Sequence, residues 1–221
     1  MTIGATWVAG VGAPAIDNPL ILPLVQPLRR DAICCLWQLN QQLRAQIFAA
    51  KEAALAQIRL RWWAGALGEL NIGDTPPDPL LTSCAALLLP HVAGAELSAL
   101  ADGYFEVAAD PCGAGWGTAG ANLFTLTARI LGADMAGRAA DIATTGQVMG
   151  RFWGALAAAD AGKTSADWIA LAQLLGTLRL ANLPKPLAAI TVLARCIARA
   201  GGRRHRLREQ AVILRVGLVG R

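Results

Sequence analysis

The sequence predicts an all-α, single-domain helical bundle, and three observations carry that prediction. Alanine is abundant while valine and isoleucine are sparse, a composition that favours helices nearly everywhere. Leucine recurs at spacings of three and four residues, which places apolar side chains on one face of a helix. Hydrophobic residues make up 55% of the 221 residues and charged residues only 16%, so the chain has enough apolar material to fold rather than remain disordered.

Apolar spacing predicts two helices in the first third of the chain. The first runs from about Pro27 to Phe48, because Leu39, Leu43 and Ile47 form a stripe at a spacing of four residues. The second, from about Glu52 to Leu70, is apolar over a wide arc, and we therefore expect it to be largely buried.

Proline and glycine separate the later helices. Pro79 begins a helix that ends near Pro90. Further helices are predicted at about 95–109, 121–131, 134–159, 165–180 and 186–200, followed by a basic last helix, which gives eight or nine in all. Asp134 is expected at the start of its helix. The Gly-rich segment 110–120 follows no strand, so we expect a flexible connection rather than a dinucleotide or phosphate loop.

Residues 1–16 are predicted to be a flexible leader and residues 17–221 the helical domain. The leader lacks the basic and apolar regions of a secretory signal, and no stretch reaches the roughly 18 apolar residues of a spanning helix. The five cysteines show no CxxC spacing, and the two histidines are isolated, so no zinc site or triad is indicated. We expect a reducing, cytoplasmic location, peripheral to the inner membrane if the protein contacts lipid.

Positive charge is concentrated at the C-terminus. Residues 1–190 carry 12 basic and 14 acidic groups, whereas residues 191–221 carry eight Arg and one Glu. Arg203, Arg204, Arg206 and Arg208 precede an apolar stretch, a pattern suited to an anionic membrane surface or a protein partner. A last helix packed on the bundle with its arginines in solvent explains the pattern equally. Nucleic acid is disfavoured, because the chain has one Tyr and no reading motif.

Three segments of the chain carry recognisable motifs. The segment Leu36–Leu67 includes the motif I-R-L-x-W-W at Ile58–Trp63 and is similar to the start of the squalene/phytoene synthase family. Ala101–Gly103, Thr118–Gly120 and Leu131–Gly132 resemble its (E)G…(S/T)AG…LG stretch, and the region around 146–156 lies where the second aspartate motif belongs. The resemblance implies the all-α isoprenoid-synthase fold and head-to-head joining of two prenyl diphosphates.

The carboxylates of that chemistry are missing from both expected positions. In active members two Asp-rich helices hold Mg²⁺, which requires hard oxygen ligands. The windows 38–48 and 142–159 contain no Asp or Glu. The family's slots are occupied here, approximately, by Arg44, Ala45 and Phe48 in the first window and by Gly150, Trp153, Leu156 and Ala157 in the second. We therefore predict no metal site and no cofactor, with Mg²⁺ required only if the chain is an active enzyme.

The candidate ligand-binding residues are Arg44, Arg59, Trp62, Trp63 and Arg151. Arg44 and Arg151 lie in the two windows and could hold an anionic head group directly, or they could be solvated or form ordinary ion pairs. Trp62 and Trp63 could line a channel for a prenyl chain, or they could pack in the core.

The leading hypothesis is a squalene/phytoene-synthase-like protein without metal-diphosphate catalysis, which binds an isoprenoid lipid or acts in assembly at a membrane surface. The family offers a precedent, since a branch without the Asp motifs includes a mitochondrial assembly factor for respiratory NADH dehydrogenase. One alternative is an active prenyltransferase that makes a phytoene- or squalene-type product. Its ligands would be Asp102, Glu106 and Asp110, which share one helix face but equally fit a solvent-facing stripe. Another is a generic helical interaction module.

Overall fold

The computed structural model describes residues 21–50, 52–72, 77–111, 114–160 and 168–199, and this part of the chain contains eight α-helices and no strand. The helices are α1 (Arg30–Ala49), α2 (Ala53–Glu69), α3 (Pro79–Leu87), α4 (Gly94–Ala109), α5 (Gly115–Ile130), α6 (Ala139–Asp160), α7 (Trp168–Thr177) and α8 (Lys185–Arg199). The predicted all-α fold class is confirmed. The predicted leader and the four arginines at 203, 204, 206 and 208 lie outside the described residues.

The helices share one apolar core. α5 packs between α4 and α6, α2 packs on α4, and α7 packs on α8. α1 contacts α2, α3, α4 and α5, and each of the eight helices contributes buried side chains to the same cluster. The predicted stripe on α1 is part of it, since Leu39 and Leu43 are buried and Ile47 packs against its edge.

The outer face of α2 differs from the prediction that this helix is largely buried. Leu60, Trp63 and Leu67 face the core, but Ile58 is 68% exposed and Trp62 is 50% exposed. Periodicity identified the helix correctly, but an apolar arc does not show which of its edges a neighbouring helix covers. In the described part of the chain, α2 therefore presents apolar side chains to solvent.

Two helix starts also differ from the prediction. α5 begins at Gly115, so part of the segment expected to be a flexible connection is helical. Glycine is needed there, because a Cβ on Gly115 would lie 2.6 Å from the backbone nitrogen of Val107 in α4. α6 begins at Ala139, not at Asp134. The Asp134 carboxylate instead accepts a hydrogen bond from the Ala136 N–H at 2.9 Å, which closes a turn ahead of the helix.

A row of glycines brings α5 and α6 unusually close. Gly146, Gly150 and Gly154 recur at a spacing of four residues and therefore share one face of α6. A Cβ on Gly150 would lie 1.8 Å from the carbonyl oxygen of Trp116, and one on Gly146 would lie 2.4 Å from that of Gly120. The contact is thus backbone against backbone, and it fixes where Trp116 sits relative to α6.

Candidate functional site

Aromatic side chains fill the space between α1 and α6, the helices that contain the windows 38–48 and 142–159. Trp37 of α1 meets Trp153 of α6 edge to face, with ring centroids 5.8 Å apart, and Phe124 of α5 lies 6.1 Å from the Trp153 ring. All three side chains are buried. The resemblance places Trp153, Leu156 and Ala157 at the slots of the second motif, and all three side chains are buried. These slots are therefore part of the core and do not face an open site.

Two hydrogen bonds cross this apolar interior. The Tyr104 hydroxyl of α4 donates to the Asn40 side-chain oxygen at 2.6 Å. The Trp37 indole N–H donates to the Thr127 hydroxyl at 3.2 Å, and that hydroxyl donates to the Leu123 carbonyl at 2.7 Å. Burial raises the pKa of Tyr104 to about 12, since the phenolate would lose its hydration. This phenol is consequently a neutral donor over the physiological pH range.

Arg44 lies at the edge of this aromatic group. Its guanidinium carbon is 5.8 Å from the centroid of the Trp116 ring, within the range of a cation–π contact. The Trp116 ring also meets those of Tyr104 and Phe48, at 6.1 and 6.4 Å. The Arg44 Nε is buried, and no described residue accepts a hydrogen bond from it. An N–H donor in this position costs free energy unless an acceptor reaches it.

Arg151 approaches the same turn of α5 from α6. Its Nε is 3.7 Å from the point that a Cβ on Gly117 would occupy, and its side chain is exposed. Among the described residues, no side chain caps the N-terminus of α5. The first turn of a helix carries partial positive charge, and the two guanidinium groups add to it. Glu106 of α4 packs beside Gly115 at the same helix end and is the nearby acidic residue. Two of the five predicted ligand-binding residues thus approach adjacent residues of α5, Arg44 at Trp116 and Arg151 at Gly117.

The other three predicted ligand-binding residues lie on α2. Arg59 is exposed, Trp62 is half-exposed and Trp63 is buried, with the two Trp rings edge to face at 5.3 Å. α2 packs on α4 and α1, and no described contact joins these residues to Arg44 or Arg151. The two tryptophans therefore differ: the Trp63 ring packs in the core, whereas the Trp62 ring faces outward.

The acidic row on α4 faces solvent. Asp102, Glu106 and Asp110 are all exposed, and Asp102 pairs with Arg61 at 3.7 Å. Arg61 in turn stacks over the Phe105 ring at 4.5 Å. Within the described ranges, no group of three His, Cys, Asp or Glu side chains is placed to hold a metal ion. The residues present at the two windows do not fit the magnesium ions that the resemblance implies, since they include no carboxylate.

A shallow depression of about 460 Å³ lies between α7 and α8. It is lined by Trp168, Ile169, Ala172, Gln173, Gly176, Ala198 and Arg199. The five predicted ligand-binding residues on α1, α2 and α6 do not border it. Its walls are mostly apolar, and its one charged residue, Arg199, is exposed.

Sequence reasoning did not identify Trp116, Tyr104 or Asn40 as parts of this region. Trp116 was assigned to a loop, and the 64 residues between Asn40 and Tyr104 hide their contact. The available signal was the position of Asn40, which lies four residues after Leu36 and three before Leu43 and therefore shares their apolar face of α1. No helix in the described ranges is long and apolar enough to cross a membrane. No family model, curated protein or solved structure matches the chain.

Proposed function

We propose that this chain is a squalene/phytoene-synthase-like protein of the isoprenoid-synthase type that has no metal-diphosphate catalysis. It binds the anionic head group of an isoprenoid lipid at a membrane surface, or acts there in assembly. The observation that carries the proposal is the approach of Arg44 and Arg151 to the first turn of α5, where two helices of an active synthase would present carboxylates.

The charge of this region favours an anion over a metal ion. A guanidinium group donates two parallel hydrogen bonds to a phosphate, and the end of a helix adds backbone N–H groups. The buried Arg44 Nε supplies a donor that no described residue uses. A divalent cation would meet only repulsion from the two arginines. Direct binding of a phosphate or diphosphate therefore replaces metal-bridged binding in this proposal.

The interior argues against turnover of two prenyl chains. Trp37 and Trp153 are in contact between the two window helices, so the described side chains occupy that space. The prenyltransferase alternative requires Asp102, Glu106 and Asp110 to act with Arg44, Arg59 or Arg151. The exposure of all three carboxylates gives that alternative no support.

Calorimetric titration with farnesyl diphosphate tests head-group binding. Arg44→Gln and Arg151→Gln should each weaken binding about tenfold or more. The reason is that a hydrogen bond to a charged group contributes about 1.5–3 kcal/mol. Arg138→Gln is the matched control, since Arg138 is also exposed but lies about 20 Å along α6 from Arg151. Binding that is absent, or equal in all three variants, would contradict the proposed site.

Incubation with farnesyl or geranylgeranyl diphosphate and Mg²⁺ tests the enzyme alternative. We expect no product, and EDTA should not weaken binding. Product formed at a rate of roughly 1 s⁻¹ or more would overturn the noncatalytic proposal.

Sedimentation with vesicles containing phosphatidylserine tests the membrane part of the proposal. Binding should weaken as salt is added and when residues 203–221 are removed, because each basic residue near the lipid contributes about 1 kcal/mol. If binding is unchanged by both treatments, the basic tail is not the docking element.

A further inference from the structure

Two buried cysteine side chains meet between α1 and α3. The Sγ atoms of Cys35 and Cys84 are 3.8 Å apart, although 49 residues separate them in sequence. Cys35 is 4% exposed and Cys84 is 0% exposed. A disulfide needs its sulfurs at about 2.05 Å, so the pair must close by roughly 1.8 Å.

The contact makes the two thiols chemically unequal. The Cys84 S–H can donate to the Cys35 sulfur, which lowers the pKa of Cys35 and raises that of Cys84. The thiolate is the nucleophilic form of cysteine. Cys35 is therefore the sulfur that reacts first with an electrophile, and Cys84 is the adjacent thiol that can resolve the product.

We infer that Cys35 and Cys84 form an oxidisable dithiol, a modification site that a small hydroperoxide converts into a disulfide between α1 and α3. In the first step the Cys35 sulfur attacks the peroxide, its O–O bond breaks, and the distal oxygen leaves as water or an alcohol after taking the thiol proton. In the second step the Cys84 sulfur attacks the resulting sulfenic acid, the S–O bond breaks, and the hydroxyl group leaves as water with the Cys84 proton. Two thiols are oxidised and one peroxide is reduced.

Burial selects the oxidant. Because both sulfurs are covered, an oxidant close to water in size reaches them with less opening of α1 and α3 than glutathione disulfide requires. The site is accordingly specific for hydrogen peroxide over a bulky disulfide. The same burial protects the crosslink from reduction by glutathione once it has formed.

The test is peptide mapping of the full chain after exposure to hydrogen peroxide and alkylation of the remaining thiols. We expect a crosslinked peptide pair that contains Cys35 and Cys84, lighter by two hydrogens and reversed by dithiothreitol. The Cys34→Ser variant should retain the crosslink, which assigns it to Cys35, and Cys196→Ser should retain it as well. In Cys84→Ala, dimedone should label Cys35 and no crosslink should form.

Three results would overturn the inference. The first is peroxide-treated wild-type chain in which other cysteines oxidise while the peptides of Cys35 and Cys84 remain alkylated. The second is a crosslink that forms equally fast with glutathione disulfide, which would refute selection by size. The third is a disulfide between the Cys35 peptide and another cysteine that forms in Cys84→Ala as readily as the crosslink forms in the parent chain. The first two use the unmodified chain, so they remain decisive if a variant fails to fold.

Discussion

Replacing Gly150 by alanine should destabilise the protein, although alanine is the better helix former. The added Cβ would lie 1.8 Å from the Trp116 carbonyl oxygen and 2.7 Å from its carbonyl carbon. Real Cβ atoms essentially never come closer than 3.0 Å to such atoms, so α5 and α6 must separate by roughly 1.2 Å. The obstacle is backbone in a helix interior, which cannot rotate away as a side chain would.

The magnitude follows from two opposed contributions. Alanine in place of glycine stabilises a helix interior by about 1 kcal/mol. Overpacking of a dense core costs about 1–3 kcal/mol and occasionally more, and a clash with rigid backbone belongs at the upper end of that range or beyond it. We therefore expect the free energy of unfolding of Gly150→Ala to fall by about 2 kcal/mol or more.

Gly65→Ala is the matched control, because Gly65 lies in the interior of α2 and a Cβ there would meet nothing within 4 Å. Its free energy of unfolding should rise by about 0.5–1 kcal/mol. Urea unfolding followed by circular dichroism measures both variants against the parent chain. A Gly150→Ala variant as stable as the parent would refute the backbone contact between α5 and α6.

Three further predictions concern buried polar groups and a helix cap. Tyr104 is the one tyrosine of the chain, so its absorbance reports it alone; ionisation should occur near pH 12 in the folded protein. Because the folded pKa exceeds the unfolded value, the phenol contributes about 3 kcal/mol to the free energy of unfolding below pH 10. That contribution is lost as the pH rises through about 12. Thr127→Val should cost about 1–3 kcal/mol in urea unfolding, since it leaves the Trp37 indole N–H without its acceptor, whereas Thr127→Ser should cost less. Asp78 caps α3 by accepting from the N–H groups of Leu80 and Leu81 at 2.8 and 3.1 Å, so Asp78→Ala should lower the thermal midpoint by the equivalent of about 1 kcal/mol, and Asp78→Asn by less.

The helices could be predicted because their determinants are local. The spacing of Leu39 and Leu43 predicted α1, and Pro79 marked the start of α3. The start of α5 was missed because glycine ordinarily disfavours a helix, and the need for Gly115 arises only from the backbone of α4. Similarly, the apolar composition of α2 could not reveal that no described helix covers Ile58.

Two residues of the candidate site could be predicted from the sequence, but its other residues and its arrangement could not. The absence of carboxylates singled out Arg44 and Arg151, since a charge change inside a motif window is visible in the sequence. The approach of Arg44 to Trp116 and of Arg151 to Gly117 depends on how α1, α5 and α6 pack, which no local pattern encodes. The meeting of Cys35 with Cys84 across 49 residues was invisible for the same reason.

Trp37 donates one hydrogen bond to a neighbouring helix and Asn40 accepts another, and these bonds fix the position of α1 in a way that its leucines do not. These two residues stand one turn apart on α1 and reach different neighbours, Thr127 on α5 and Tyr104 on α4. If α1 shifted by one helical turn, its leucines would meet other apolar side chains at little cost in free energy. The same shift would break both hydrogen bonds at once. The two hydrogen bonds therefore select a single packing register for α1, in an apolar interior that would otherwise accept several.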